Sequence, residues 1–395
     1  MGYELPLTGV TILDVSRVLS GPYCTFLLAQ LGARVIKVEL PGKGDDARQF
    51  GPLINGVSGY FASLNRGKES ICLNLKADAD REIFEMLLES ADVLVENFRP
   101  QVMDRLGYGW ELLHARHPRL IYGSISGFGK QNVDNNEPAY DIIIQALSGI
   151  MSVTGKGKGD YNRVGVSIAD LSSGLFLAIG ILASLHKRQT TGQGEIIDIA
   201  MLDSVLSLME YPVMRYSTSG SSPGPIGTYR PAIPPPFGLF KTRSEVIVIA
   251  AGNDRLFQRL CDALPLSHSF LERYVDPEVR KDSETAITLE IETVLKERDA
   301  SEWISILKFQ GIPCAVVNDV AAAVSLPTVK NGGLLHRPDP ESDFPFPLVS
   351  SPIRFPLNDQ VREPGEPPGL DEHREKILSN DLRGTAPELA QQAVE

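Results

Sequence analysis

The chain has 395 residues, 43% hydrophobic and 22% charged, the proportions of an ordinary globular protein with room for two or three domains. A net charge of −12 at pH 7 argues against non-specific nucleic-acid binding, so an anionic ligand would need a local group of Arg and Lys. Cys24, Cys72, Cys261 and Cys314 are far apart in apolar settings and read as reduced core thiols of a cytoplasmic protein, neither a disulfide frame nor a metal set.

Met1-Gly2-Tyr3-Glu4 lacks the basic start and apolar stretch of a secretory leader, and Pro6 breaks a myristoylation pattern. Val10–Val15 reads as a strand, Tyr23–Leu31 as an apolar helix and Arg34–Leu40 as a second strand, followed by a polar, Gly-rich loop. Ser70–Leu75 is strand-like, Asp78–Ser90 an amphipathic helix and Asp92–Phe98 a strand. Helical stretches at Gln101–Leu106 and Glu111–Ala115 precede a strand at Leu120–Ile125. Such alternation predicts an α/β fold with a parallel, doubly wound sheet. The first strand ends in Arg17-Val18-Leu19-Ser20-Gly21-Pro22, which is not GxGxxG, so a nicotinamide cofactor is not inferred.

Val164–Ile168 reads as a short strand ending in Ala169-Asp170, ahead of an apolar helix from Leu171 to Lys187. The apolar run 175–185 is about 11 residues, against the ~20 needed to span a bilayer. Asp170 is thus expected at a strand-to-helix junction, where helix N–H groups favour an anion by roughly 0.3–1 kcal/mol. It reads either as a covalent nucleophile beside the small residues Ala169, Ser172, Ser173 and Gly174 or as a plain N-cap. A helix around Met201–Tyr216 leads into the Gly, Ser and Pro-rich linker 217–236. Residues 237–330 then read as a smaller α/β domain. Its strands fall within Phe237–Ala251 and at Cys314–Asn318, its helices at Asp254–Leu264, Thr285–Glu297 and Ala300–Gln310. Pro352–Phe355 and a helix-like Glu372–Ser379 follow, and the last ten or so residues look disordered.

HExxH, CxxC and Walker patterns are absent, and Gly123-Ser124-Ile125-Ser126-Gly127 has Ile where a nucleophile elbow needs Ser. Glu96-Asn97-Phe98-Arg99-Pro100 sits at the carboxyl end of a strand, where open α/β sheets bind ligands, and Asp104-Arg105-Leu106-Gly107 follows. Phe98 and Leu106 suit the faces of an adenine, Arg105 suits a phosphate or the base plane, and Lys76 follows another strand. Singly each reads as a surface residue; together they point to a nucleotide-like anion.

The segments LTGVTILDVSRVLSGP, LGARVIKVELPGKGD, LNRGKESICLNLK, ADVLVENFRPQVMDRLG, YDIIIQALSGIMSVTG and VGVSIADLSSGLFLAIGILASLHKRQTTGQGEIIDIAMLD together resemble the class III CoA-transferase family, which contains formyl-CoA and carnitine CoA-transferases. The resemblance implies that Asp170 is the nucleophile and that a CoA thioester is a substrate, with no tightly bound cofactor and no metal. It implies a CoA site lined by Val18, Lys76, Asn97, Phe98, Arg105 and Leu106, with Tyr140 and Asp141 near the acyl group. Gly252, in Ala251-Gly252-Asn253-Asp254, stands where the family has a glycine-rich small-domain loop. The implied fold is a Rossmann-like large domain, built from 1–216 and a C-terminal part within 331–395, plus the small domain, in an interlocked homodimer.

The implied chemistry passes through an aspartyl anhydride and an aspartyl-CoA thioester. Asp170 is expected to be ionised at neutral pH, from an unperturbed pKa of about 3.9. Arg17 and Tyr140 are expected to grip a distal carboxylate, pointing to succinyl-CoA as donor and a small dicarboxylic acid as acceptor; alternatively Arg17 pairs within the dimer. Leu19 replaces the Gln of formyl-CoA transferase, so an oxalate site of that type is not expected. A 2-methylacyl-CoA racemase on the same fold needs His ahead of the Asp, where this chain has Tyr140 before Asp141. A non-catalytic acyl-CoA-binding protein would have no need of Asp170. Neither a nucleic acid nor a membrane is an expected partner.

Overall fold

The computed structural model describes residues 4–130, 137–229, 232–336, 341, 344–355 and 365–381; the tail expected to be disordered lies outside them. By internal contacts the chain forms two compact units. One comprises Met1–Met151, Arg163–Ser221 and Asn331–Glu395, the other Ser152–Asn162 and Ser222–Lys330.

The first unit is built on six parallel strands: β1 Thr11–Asp14, β2 Arg34–Glu39, β3 Glu69–Cys72, β4 Val93–Glu96, β5 Ile121–Ser126 and β6 Ile196–Ala200, in the order β3-β2-β1-β4-β5-β6. Helices cover both faces, so neighbouring strand residues feed opposite cores. Ile12 and Val35 join Leu28, Leu177 and Ile181 in one cluster. Leu13 and Ile36 join Phe84, Leu87 and Tyr122 in the other. Each such aliphatic side chain contributes roughly 1.5–3 kcal/mol on burial. The predicted strands overran because their last residues, such as Leu40 and Asn97, turn away into loops.

This order reverses direction between β1 and β4, and the carboxyl ends of those two strands frame the crevice in which doubly wound sheets bind ligands. β1 runs into helix α1, Ser20–Gln30. The amphipathic helix Asp78–Ser90 has the bounds expected from its pattern.

The expected strand Val164–Ile168 does not form. Gly165 and its neighbours are irregular, the Val164 N–H donates to Gln145 Oε1 at 2.8 Å, and helix α2 already begins at Ile168, running to Thr191. Asp170 therefore lies within the first turn of a helix entered from a loop, and the capping oxygen comes from elsewhere, as described below. With 24 residues, α2 is long and apolar enough to cross a membrane by length and composition, although half of its apolar window is buried in the protein. Leu177 and Ile181 are fully buried. Gly174 allows α2 to lie against α1: a Cβ there would stand 2.6 Å from the Ser20 carbonyl oxygen.

The second unit has a three-stranded antiparallel sheet. Phe237–Lys241 pairs with Val246–Ala250, which pairs with Cys314–Val316. Helices including Asp254–Ala263, Glu284–Leu295 and Ala300–Phe309 pack Phe257, Ile291 and Trp303 into its core. The helix Glu210–Ser219 runs past the expected start of the linker at 217. The four cysteines are all unpaired thiols.

Candidate active site

Two depressions open over the carboxyl ends of the parallel strands, and both are lined by Arg17 and Phe98. The first, of 240 Å³, lies over β1–β3 and takes in Leu73, Leu75, Lys76 and Leu106. Its apolar walls and single exposed lysine match what an adenine and a phosphate require. The second, of 320 Å³, takes in Val18, Leu19, Asn97, Tyr140, Asp141 and Asp170.

The loops that meet here are fastened by their own side chains. Asn97 Oδ1 accepts the Arg17 N–H at 2.8 Å, while its Nδ2 donates to the Arg17 carbonyl at 2.7 Å and to Ser20 Oγ at 3.1 Å. Glu96, buried at the end of β4, accepts from Ser124 Oγ at 2.5 Å and from the Phe98 N–H at 2.8 Å. The Arg17 guanidinium lies 5.1 Å from the Phe98 ring centroid and 3.5 Å from Asp46.

Asp170 is half-buried, and its carboxyl is pushed up to about 7, first by burial and then by the negative charge of Asp141. The expectation that it is simply ionised at neutral pH is thus corrected, because withdrawal from water penalises the anion. Asp141 does more than face the cleft. Its Oδ1 accepts the Ala169 N–H at 2.8 Å, so this residue of the Asp141–Leu147 helix caps α2 from outside. Its Oδ2 accepts from Gln145 Nε2 at 2.7 Å, and Gln145 is fully buried. Gln145 thereby joins the cap to the loop at Val164 and fixes where α2, and with it Asp170, begins.

Of the residues expected at the site, Arg17, Val18, Asn97, Phe98, Tyr140, Asp141 and Asp170 line one depression, and Lys76 and Leu106 line the other with Arg17 and Phe98. Arg105 is exposed on the short helix Val102–Leu106 and lines neither. Gly252 belongs to the other unit. A Cβ on it would meet Ile233 Cγ2 at 2.1 Å, so local packing there requires glycine. Gln145, Lys37 and Asp45 escaped notice in the sequence. The available signal was a lysine inside the apolar run Arg34–Glu39, since a charge in a strand buried on both faces must have a partner. Among the described residues, no group of three or more His, Cys, Asp or Glu is placed to hold a metal ion.

The sequence model of CoA-transferase family III matches residues 7–374. The chain is 40% identical over 376 residues to the acetyl-CoA:oxalate CoA-transferase of Acetobacter aceti, covering 93% of each protein. It is 37% identical over 383 residues to the succinyl-CoA:mesaconate CoA-transferase of Haloarcula marismortui, covering 94% of this chain and 95% of the relative. The crystal structure of a CaiB/BaiF family protein from Brucella suis superposes with a TM-score of 0.84 at 32% identity, covering 96% of this chain and all of that one.

Proposed function

The chain belongs to CoA-transferase family III, and from that footing we propose that it moves CoA from succinyl-CoA to a small dicarboxylic acid, with Asp170 as the covalent nucleophile. The observation that carries this reading is the Asp170 carboxyl standing in one cleft with Val18, Asn97 and Phe98, next to an apolar depression suited to a nucleotide.

The Asp170 carboxylate attacks the thioester carbonyl, the C–S bond breaks, and a mixed anhydride and CoA thiolate result. The thiolate then attacks the aspartyl carbonyl carbon, releasing the donor acid and leaving an aspartyl-CoA thioester. The acceptor carboxylate attacks that thioester and expels the thiolate. The thiolate takes the acceptor acyl carbon, and Asp170 is regenerated as the carboxylate. No net proton is consumed, and the thioester's energy is kept as long as water is excluded. Mixing the protein with succinyl-CoA, trapping with hydroxylamine or borohydride and mapping peptides by mass spectrometry should place an adduct on Asp170. Deuterium entering the α-carbon of a branched acyl-CoA, with no adduct, would favour isomerisation instead. Tyr140 ahead of Asp141 speaks against that outcome, since proton exchange needs a His/Asp pair.

A dicarboxylic acceptor is favoured because the named relatives are named for oxalate and mesaconate, a succinyl donor because the Haloarcula relative is named for succinyl-CoA, and both because Arg17 and Tyr140 line the cleft with Asp170. The salt bridge from Arg17 to Asp46 is half-exposed and therefore weak, so a substrate carboxylate can compete for the guanidinium. Arg17→Ala is expected to raise KM for the acceptor acid about tenfold with little change in kcat; an unchanged acceptor KM would remove the grip. Leu19 is a buried wall of the same cleft, so oxalate, if accepted, is held without a glutamine at this position.

The same reading includes a homodimer in a reducing, cytoplasmic setting. Supporting it are four free thiols and apolar side chains facing outward from α2, with Leu175 45% and Ile179 60% exposed. A sedimentation mass of one chain would remove the dimer.

A further inference from the structure

We propose that the buried Asp45–Lys37 pair is a positioning clamp for the Ser16–Leu19 turn and thereby sets the enzyme's affinity for acyl-CoA. The inference rests on the CoA-transferase reading and adds to it two fully buried residues that lie behind the wall of the nucleotide depression and outside the Asp170 cleft.

Val18 has φ +68°, the left-handed region that a β-branched residue avoids. Such a conformation persists only where the surroundings enforce it. Asp45 enforces it here. Its Oδ1 and Oδ2 lie 3.0 and 3.3 Å from the Val18 N–H that donates to them, and Oδ1 also accepts the Ala47 N–H at 2.9 Å. Lys37 completes the hold, with its ammonium 2.8 Å from Asp45 Oδ2 and donating to the Ser16 carbonyl at 2.9 Å. Both side chains have zero exposure. The backbone on either side of Arg17 is therefore tied to a single buried ion pair, by an oxygen at Ser16 and a nitrogen at Val18.

What the clamp holds is the part of the chain common to both depressions. Arg17 lines each of them, and Val18 and Leu19 line the one with Asp170. If the turn relaxed to an ordinary φ, Arg17 and Val18 would leave the path between the nucleotide depression and the nucleophile. The penalty would fall on binding of the CoA moiety more than on the bond-making steps at Asp170.

Asp45→Ala alone would strip the buried Lys37 ammonium of its direct ion-pair partner and leave only the charges of Asp14 and Glu39 to offset it, and unfolding would mask the answer. Two charge-free double variants avoid this. Lys37→Met with Asp45→Asn keeps an acceptor for the Val18 N–H, while Lys37→Met with Asp45→Leu removes it on the same branched side-chain skeleton. The Leu variant is expected to show KM for succinyl-CoA about tenfold above that of the Asn variant, with kcat values within about threefold. Adding Val18→Gly to the Leu variant should recover part of that loss, because glycine adopts φ +68° without the penalty. A purely structural pair would lower the melting temperature of both doubles without separating their KM values, and Val18→Gly would recover nothing; either result overturns the clamp. Absence of CoA transfer in the unsubstituted enzyme would instead overturn the activity itself, so the two failures are distinguishable.

Discussion

Asp170→Asn is expected to lower kcat by a factor on the order of 10⁴ or more, and at the same time to raise the unfolding temperature at pH 7.5. The first effect follows from removing the carboxylate that carries the acyl group in the proposed route. The second follows from the position of Asp170, whose carboxyl is raised from 3.8 to about 7 by burial and by Asp141. A carboxyl that binds its proton more tightly in the folded chain than in the unfolded one makes folding less favourable as pH rises between those two values. The asparagine variant escapes that cost. Its advantage in melting temperature should be greatest above pH 7 and shrink as pH falls towards 4. In the unsubstituted enzyme, kcat/KM for the donor should climb with pH through about 7, because attack needs the anion. Equal melting temperatures at every pH would show that the Asp170 carboxyl is not raised in the folded chain.

Lys68→Met is expected to cost about 3–5 kcal/mol of folding stability, as does removing one partner of a buried pair. The Lys68 ammonium has no exposure. It reaches Asp14 Oδ2 at 2.9 Å, Thr25 Oγ1 at 2.8 Å, Asn65 Oδ1 at 2.9 Å and the Pro22 carbonyl at 3.0 Å. Asp14 is held well below the usual carboxylate range by Lys68 and Lys37 against the opposing effect of burial, with help from Ser16 and Thr25. Without Lys68 it stays buried with only part of its compensation. Urea titration should show a lower midpoint for the single variant and a substantial return when Asp14→Asn is added, since the uncompensated charge is then gone. A single variant within about 1 kcal/mol of the parent would mean that water reaches Asp14.

Much of this architecture was readable in the sequence, for reasons that can be named. The parallel sheet was visible because its strands are short apolar runs separated by helices, as with Arg34–Glu39 and Asp78–Ser90. The cleft residues were legible as a family pattern, and chain topology gathers Val18, Asn97 and Asp170 from segments far apart in sequence. The strand expected at Val164 failed because a tertiary hydrogen bond from its N–H to buried Gln145 outweighed local preference. The pKa of Asp170 escaped for a related reason, since it depends first on burial and then on Asp141, a residue on another helix. Gly252 was legible only as part of a family pattern, and its contact with Ile233, where a Cβ would have no room, belongs to tertiary packing that no local pattern announces.

The absent side chain at Gly174 makes the reactive distance a property of two rigid rods. Asp170 is one helical turn ahead of Gly174 on α2, and Ser20, whose carbonyl meets Gly174, is the first residue of α1 after the Ser16–Leu19 turn. In the proposed route, the separation between Asp170 and the thioester would thus be gauged by the thickness of one backbone contact. A single added methyl group there would wedge the rods apart, and a displacement of about 1 Å at a reacting centre can cost ~10²-fold in rate. Reach, in the proposed route, would be measured from Gly174, which lines neither depression.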